Sequence, residues 1–347
     1  MNDCHSPDSI DHKLRSQRPL VRIPSFDLLG IHLHAMTKQD LVSTVVQAVD
    51  ARTRCIIGNH NLHSLYLWGN EPKMRDFYSA ADYIQIDGMP LIWLGCLFGL
   101  PFKPVHRTTN LDLLPLFAEE AAKRQWRVFY LGSRPGVAEK AARTLRSRYP
   151  GLQIATHDGY FKTTQSGREN QSVLAQIRDY APDILMVGMG MPRQEIWIEE
   201  NLKDIFVTAI FCCGGLMDLV AGEIPTPPRW LGSVGLEWLF RLFSQPVRTW
   251  RRYLVEPWFI LFRVIKHYLR NGHLSIAGDT TTCDETEQRV RYGQDLKTPL
   301  VEENSASLLS TIPTVDMNLP SHTSVSVSGG DPPFNGATRR RREGAKN

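Results

Sequence analysis

Short apolar runs alternate with helical patterns through the middle of the chain. Arg127-Val-Phe-Tyr-Leu131 reads as a buried strand and Gly132-Ser-Arg-Pro-Gly136 as a turn. Val137 to Arg148 then has helical spacing, with Ala138, Ala141, Ala142 and Leu145 on one face, and Pro150-Gly151 ends it. Gln153 to Thr156 predicts the next strand. Asp183 to Gly188 predicts another, followed by a Gly-rich turn and a helix from Pro192 to Leu202, then a strand from Val207 to Cys212. The earlier part repeats the theme. Thr37 is placed to cap a helix from Lys38 to Asp50, Cys55-Ile56-Ile57 runs as a strand into Asn59, and a further strand ends at Ile86-Asp87. Strand, helix, strand at this spacing predicts an α/β fold: a Rossmann-like, mostly parallel sheet with flanking helices.

In such sheets ligands sit beyond the C-terminal ends of the strands. The stretches placed there are polar and glycine-rich: Asn59, Asn61, Asp87, Gly132 to Gly136, Gly188 to Glu195, and Gly214 to Asp218. Gly188-Met-Gly-Met-Pro-Arg-Gln-Glu195 closes a strand and opens a helix, as a phosphate-binding turn would. It is neither a Walker A loop nor GxGxxG, and a plain strand–helix turn reads the same. Asp87 before Gly88 suits a general base, though taken alone the position favours an aspartate stabilising a turn. Arg107, in His-Arg-Thr-Thr ahead of a helix, suits a phosphate clamp or a surface position.

The chain has 347 residues, 42% hydrophobic and 22% charged, enough for a large core. Residues 1–24 are polar, carry no apolar signal segment and are expected to be a disordered leader. Residues 25–230 form the expected α/β core and residues 231–272 a C-terminal helical appendage; all eight tryptophans lie in these two segments. Residues 273–347, rich in Ser, Thr, Pro, Gly and Asp and ending near Arg339 to Arg342, are expected to be a disordered tail. No run is apolar for the roughly 18 residues a membrane span needs. The six cysteines form no CxxC and read as reduced thiols of a cytosolic protein. The eleven histidines form no HExxH, and no required catalytic metal is expected.

The net charge is only +4, yet residues 241–270 hold seven basic residues against one acid, Glu256, a local net charge of +6. Phe243, Trp250, Tyr253, Trp258, Phe259, Phe262 and Tyr268 are interleaved with them. A basic, aromatic-rich helical stretch predicts contact with a membrane surface or a lipid-linked diphosphate. The alternatives are a helical pair packed on its own core and, less well suited, a nucleic-acid surface.

Taken together, several segments from about Phe26 to Leu269 resemble the WecG/TagA/CpsF glycosyltransferase family. They are Gly58-Asn-His-Asn-Leu-His-Ser-Leu-Tyr66, Ile86-Asp87-Gly88, His106-Arg107-Thr-Thr, Tyr130 to Val137, His157-Asp-Gly-Tyr-Phe161, Pro182 to Glu195, Gly214-Gly-Leu-Met-Asp218, and Gly235 to Arg241 followed by Pro246, Arg248, Arg251 and Arg252. The resemblance implies an inverting, metal-independent enzyme without a cofactor. It moves a sugar from a UDP-sugar to a polyprenyl-diphosphate-linked sugar, peripherally on the cytoplasmic face of the inner membrane. It also implies self-association traded against membrane binding, and no nucleic-acid partner. By position it makes Asp87 the general base and Arg107 the phosphate-handling arginine. Asn61 matches the asparagine of a Thr-x-Asn motif, Tyr160 and Asp218 lie near the uridine, and Gln194 with Glu195 lies near the donor sugar. Arg241, Arg248, Arg251 and Arg252 fall in the appendage expected to close the site and meet the membrane. Without a metal, arginines must supply the charge that the departing UDP requires.

Asn59 stands where the family usually has Thr. The wording around it is most similar to the GumM branch, which implies β-1,4 transfer of glucose from UDP-glucose to a lipid-diphosphate-linked glucose in xanthan-type exopolysaccharide assembly. Transfer of N-acetylmannosamine from its UDP form to a lipid-linked GlcNAc is the alternative within the family. A non-catalytic nucleotide- or nucleic-acid-binding α/β protein has only the basic segment and the Arg tail for support. A nicotinamide oxidoreductase lacks its GxGxxG.

Overall fold

The computed structural model describes residues 21–271. Residues 1–20 and 272–347 lie outside, and with them nearly all of the expected leader, the expected tail, Cys4, Cys283 and the run Arg339 to Arg342. The central sheet has six strands: β3 (Cys55–His60), β4 (Tyr83–Ile86), β5 (Arg127–Gly132), β6 (Gln153–His157), β7 (Ile184–Gly188) and β8 (Ala209–Cys212). Their order is β4-β3-β8-β7-β5-β6 and every pair is parallel. The expected α/β class is therefore the observed one.

Burial on both faces explains why these strands read as unbroken apolar runs. In β5, Val128 and Tyr130 enter one core cluster while Phe129 and Leu131 enter the other; Ile184/Met186 and Leu185/Val187 of β7 divide the same way. The helix Val137–Arg148 buries Ala138, Ala141, Ala142 and Leu145, the face its spacing predicts. Thr37 caps the helix Lys38–Ala51 with a full capping box: its Oγ1 accepts from the Asp40 amide, and its own amide donates to the Asp40 carboxylate.

Before the sheet comes an antiparallel hairpin, β1 (Ser25–Leu28) and β2 (Ile31–His34), which the apolar pattern alone does not announce. It covers the outer strand β4. The Ile84 amide donates to His34 Nδ1 at 3.1 Å, so an edge-strand N–H that would meet water is satisfied by a side chain. Burial drives the His34 pKa down to about 4, which keeps that nitrogen free to accept. The hairpin turns at Leu29 and Gly30, both at positive φ; a Cβ on Gly30 would come within 2.9 Å of the Trp68 ring.

The strand ends are tightly pinned. A Cβ on Gly188 would lie 2.0 Å from the Tyr130 hydroxyl and 2.6 Å from the Gly214 carbonyl. Gly188→Ala is expected to lower stability by about 3 kcal/mol or more, since neither neighbour is a flexible chain end; a thermal melt checks it.

After Ala221 the chain is mostly helical: Arg229–Ser233, Glu237–Ser244, Pro246–Trp250, a π-helical turn over Arg251–Val255, and Glu256–Asn271. Pro257 has no N–H to give the Tyr253 carbonyl, and just before it the helix widens so that the Glu256 amide bonds Arg251. Among the described residues no helix is long and apolar enough to cross a membrane.

Candidate active site

A cavity of about 510 Å³ opens at the C-terminal ends of β3, β4, β7 and β8, covered on its far side by residues 237–259. The chain winds outward from β3 to β4 and then crosses to build the other half of the sheet, so the cavity occupies the topological switch.

One wall carries a carboxylate. Asp87 follows β4, is half-buried, and is anchored by its amide, which donates to the His60 carbonyl at 2.7 Å. Beside it, Asn61 caps the helix Leu62–Asn70. The Asn61 Oδ1 accepts the Ser64 amide at 3.0 Å, which turns its Nδ2 toward Asp87, 3.4 Å away. The cap thus sets the orientation of the amide that faces the carboxylate. Below them His60 is fully buried, stacked on Tyr78 at 3.8 Å and bonded through Nδ1 to Ser64 Oγ. Burial lowers its pKa to about 3, so it is neutral and takes no part as an acid or base near neutrality. Asn59 is 5% exposed, and its Oδ1 has no hydrogen-bond partner among the described residues.

The floor consists of two glycine turns, Gly190-Met191 and Gly214-Gly215. Gln194 is completely buried between them and joins them: its Oε1 accepts the Gly190 amide at 3.1 Å and the Gly214 amide at 3.0 Å. Glu195 lies behind Gln194, also completely buried, and does not line the cavity.

The cover supplies the positive charge. Arg241, Arg248, Arg251 and Arg252 all line the cavity, as do Glu237 and Glu256. The two acids are spoken for. Glu237 accepts from Arg107 at 2.7 Å, and Glu256 meets His63 Nδ1 at 2.6 Å. Among the described residues no carboxylate lies in ion-pair range of Arg241, Arg248 or Arg251, so the cavity faces a cationic surplus.

Those two pairs also tether the cover. Arg107 is 12% exposed, does not line the cavity, and spans Asp112 at 2.8 Å and Glu237. It ties the appendage to the core helix Asn110–Lys123. The helix Glu256–Asn271 docks through Phe259 against Tyr66 and through Arg263, which donates to the Leu29 carbonyl at 2.8 Å and lies over Trp68. Arg107→Ala is expected to cost about 1–3 kcal/mol, because it strips Glu237 of its ion-pair partner and takes one of the donors from Asp112, which keeps the Thr109 hydroxyl. It should also speed proteolysis within residues 237–259 more than in the core, which limited digestion reads.

The structure brings Asp87, Asn59, Asn61, Gln194 and the four arginines to one cavity. Tyr160 stands apart at 66% exposure, and Asp218 accepts from Ser133 Oγ at 3.3 Å; neither lines the cavity. His63, Tyr66, Asn110 and Glu256 do line it and were not singled out from the sequence. Nothing local pairs His63 with a glutamate 193 positions away. Among the described residues no group of three or more His, Cys, Asp and Glu side chains is arranged to hold a metal ion.

The sequence profile of the glycosyl transferase WecG/TagA/CpsF family matches residues 26–273. The chain belongs to this family. Its curated relatives include a protein of Bacillus spizizenii strain W23, 30% identical over 198 residues (56% of this chain and 73% of the relative). Two proteins of Staphylococcus aureus, from strains MW2 and NCTC 8325, are each 25% identical, covering 65% and 62% of this chain and 85% and 83% of their own. All three are named N-acetylglucosaminyldiphosphoundecaprenol N-acetyl-beta-D-mannosaminyltransferase. These names overturn the expected transfer of glucose from UDP-glucose in xanthan-type assembly and give the GumM-type placement no support. That expectation rested on Asn59 and the few residues around it. One wall residue of a cavity shared by many side chains does not decide which sugar enters.

Proposed function

We propose that the protein transfers N-acetylmannosamine from its UDP form to a polyprenyl-diphosphate-linked GlcNAc, with inversion and without a metal. The observation that carries this is the half-buried Asp87 in the same cavity as four arginines with charge to spare. The relatives are named for β-mannosaminyl transfer to a lipid-linked GlcNAc diphosphate. From an α-linked UDP-sugar a β product requires a single displacement. The acceptor hydroxyl oxygen attacks the anomeric carbon, its proton passes to Asp87, and the bond to UDP breaks with the electron pair leaving on the phosphate. Arg241, Arg248, Arg251 and Arg252 offset that developing charge. Asn61 holds the carboxylate in place. Arg107 supports the phosphate side indirectly, by keeping the arginine-bearing cover closed.

A lipid-linked acceptor calls for work at a membrane surface, and the appendage suits a peripheral one, on the cytoplasmic side where the nucleotide sugar is found. Trp258, Phe262, Ile265 and Leu269 recur at helical spacing and are all exposed, beside Arg263, Lys266 and Arg270. A cleft of about 440 Å³ between this basic stripe and the hairpin residues Asp27, Leu29 and Gly30 adds to the polar side. Phe262→Ser with Leu269→Ser is expected to cut binding to vesicles containing anionic lipid at least tenfold with no loss of fold, as sedimentation and circular dichroism would show.

The test of the reaction is direct. Purified protein with UDP-N-acetylmannosamine and a short polyprenyl-diphosphate-GlcNAc should form a lipid-linked disaccharide, and an excess of EDTA should not slow it. No product, or a product only with added divalent cation, would overturn the reading.

A further inference from the structure

Gln194 looks at first like a side chain for gripping the donor, because it lines the cavity between two glycine turns. Its hydrogen bonds say otherwise. The Oε1 is taken by the Gly190 and Gly214 amides, and the Nε2 donates to Glu195 Oε1 at 2.8 Å. Only one N–H of the amide is left for a ligand. Both sets of contacts demand the same orientation. Flipping the amide would point its NH₂ at two backbone donors and its oxygen at a carboxylate.

We propose that Glu195 is a positioning residue for the transfer, holding the Gln194 amide so that its carbonyl oxygen pins the Gly190 and Gly214 turns together at the floor of the donor site. The proposal rests on the reading above only for what lies over those turns; the pinning itself is a property of the chain.

Glu195 carries a cost that a residue kept for packing would not. It is completely buried, and its Oε2 meets no hydrogen-bond donor stronger than the nearby Cys212 thiol among the described residues. The titratable groups acting on it are Cys212 of β8 and Tyr78 of the helix Pro72–Ala80, both held neutral by burial, with the neutral His60 behind Tyr78. Burial raises the Glu195 pKa to about 7. A proton on Oε2 removes the buried charge and leaves Oε1 free to accept from Gln194. The pin is therefore kept in the protonated form. Above neutrality the carboxylate ionises and places a negative charge beneath the turns, against an incoming diphosphate. Donor affinity should thus be higher below pH 7 than above it.

Amide hydrogen exchange and steady-state kinetics on full-length variants separate the claims. Glu195→Leu removes the acceptor; Glu195→Asp keeps the carboxyl group but draws it back by one methylene, and stands in if the leucine variant does not fold. Either is expected to speed exchange of the Gly190 and Gly214 amides at least tenfold, with β7 core amides unchanged. Glu195→Gln, which still offers an oxygen to Gln194, should restore protection. Wild-type KM for the donor should rise as pH passes 7, and the glutamine variant should flatten that rise. Unchanged exchange in Glu195→Leu or Glu195→Asp overturns the pin whatever the donor proves to be. A pH dependence of donor KM that survives in Glu195→Gln overturns the link to the donor. If the transfer assay fails while the exchange results hold, the proposed reaction has failed and the pin has not.

Discussion

Asp87→Asn is expected to lower the transfer rate by about 10²–10⁴-fold, the usual worth of a positioned general base. Asparagine has the same shape and keeps an oxygen facing the Asn61 Nδ2, so the wall of the cavity should hold. What is lost is the capacity to accept the acceptor's proton as its oxygen attacks. Asp87 is only half-buried and its side chain carries no ion pair among the described residues, so folding does not depend on its charge. Affinity for UDP should stay within about twofold of wild type, since the base acts on the acceptor and not on the nucleotide. A rate close to wild type would remove Asp87 from the mechanism. A parallel loss of UDP binding would show that the residue builds the donor site.

The second large effect is expected from Arg248→Ala combined with Arg251→Ala. Both side chains are exposed at the cavity, on the cover rather than in the core, so the fold should survive. If they offset charge on the departing diphosphate, kcat should fall by about 10²–10³-fold, as for the loss of a preorganised donor to a developing anion. The same residues lie on the segment argued to meet the membrane, and a soluble short-chain acceptor separates the roles. A loss that persists on it is catalytic. A loss seen only on vesicles would make these arginines adhesive alone.

The sheet was legible because its strands are buried on both faces and its helices on one. β5, the helix Val137–Arg148 and β7 fall within a residue or two of their sequence patterns. The hairpin was not, because its strands have four residues each and its purpose is long-range: His34 reaches Ile84 across the chain. The site shows the same division. Asn59, Asn61, Asp87 and the two glycine turns could be placed because they follow strands of a parallel sheet. The tethers Arg107–Glu237 and His63–Glu256 could not, because each joins residues more than a hundred positions apart. Gln194 was found by position, but its work shows only in where its amide oxygen points. The donor was misread for a related reason. Sugar choice belongs to the whole cavity, and a short local likeness around Asn59 weighs little against relatives matched over some two hundred residues.

The most direct measurement offers both sugars at once. Full-length protein would be given a short polyprenyl-diphosphate-GlcNAc with equal concentrations of UDP-N-acetylmannosamine and UDP-glucose, and the lipid-linked product read by mass spectrometry. The expected product is the acceptor extended by one N-acetylhexosamine. An acceptor extended by a hexose, or left unextended while the protein binds UDP, would contradict it.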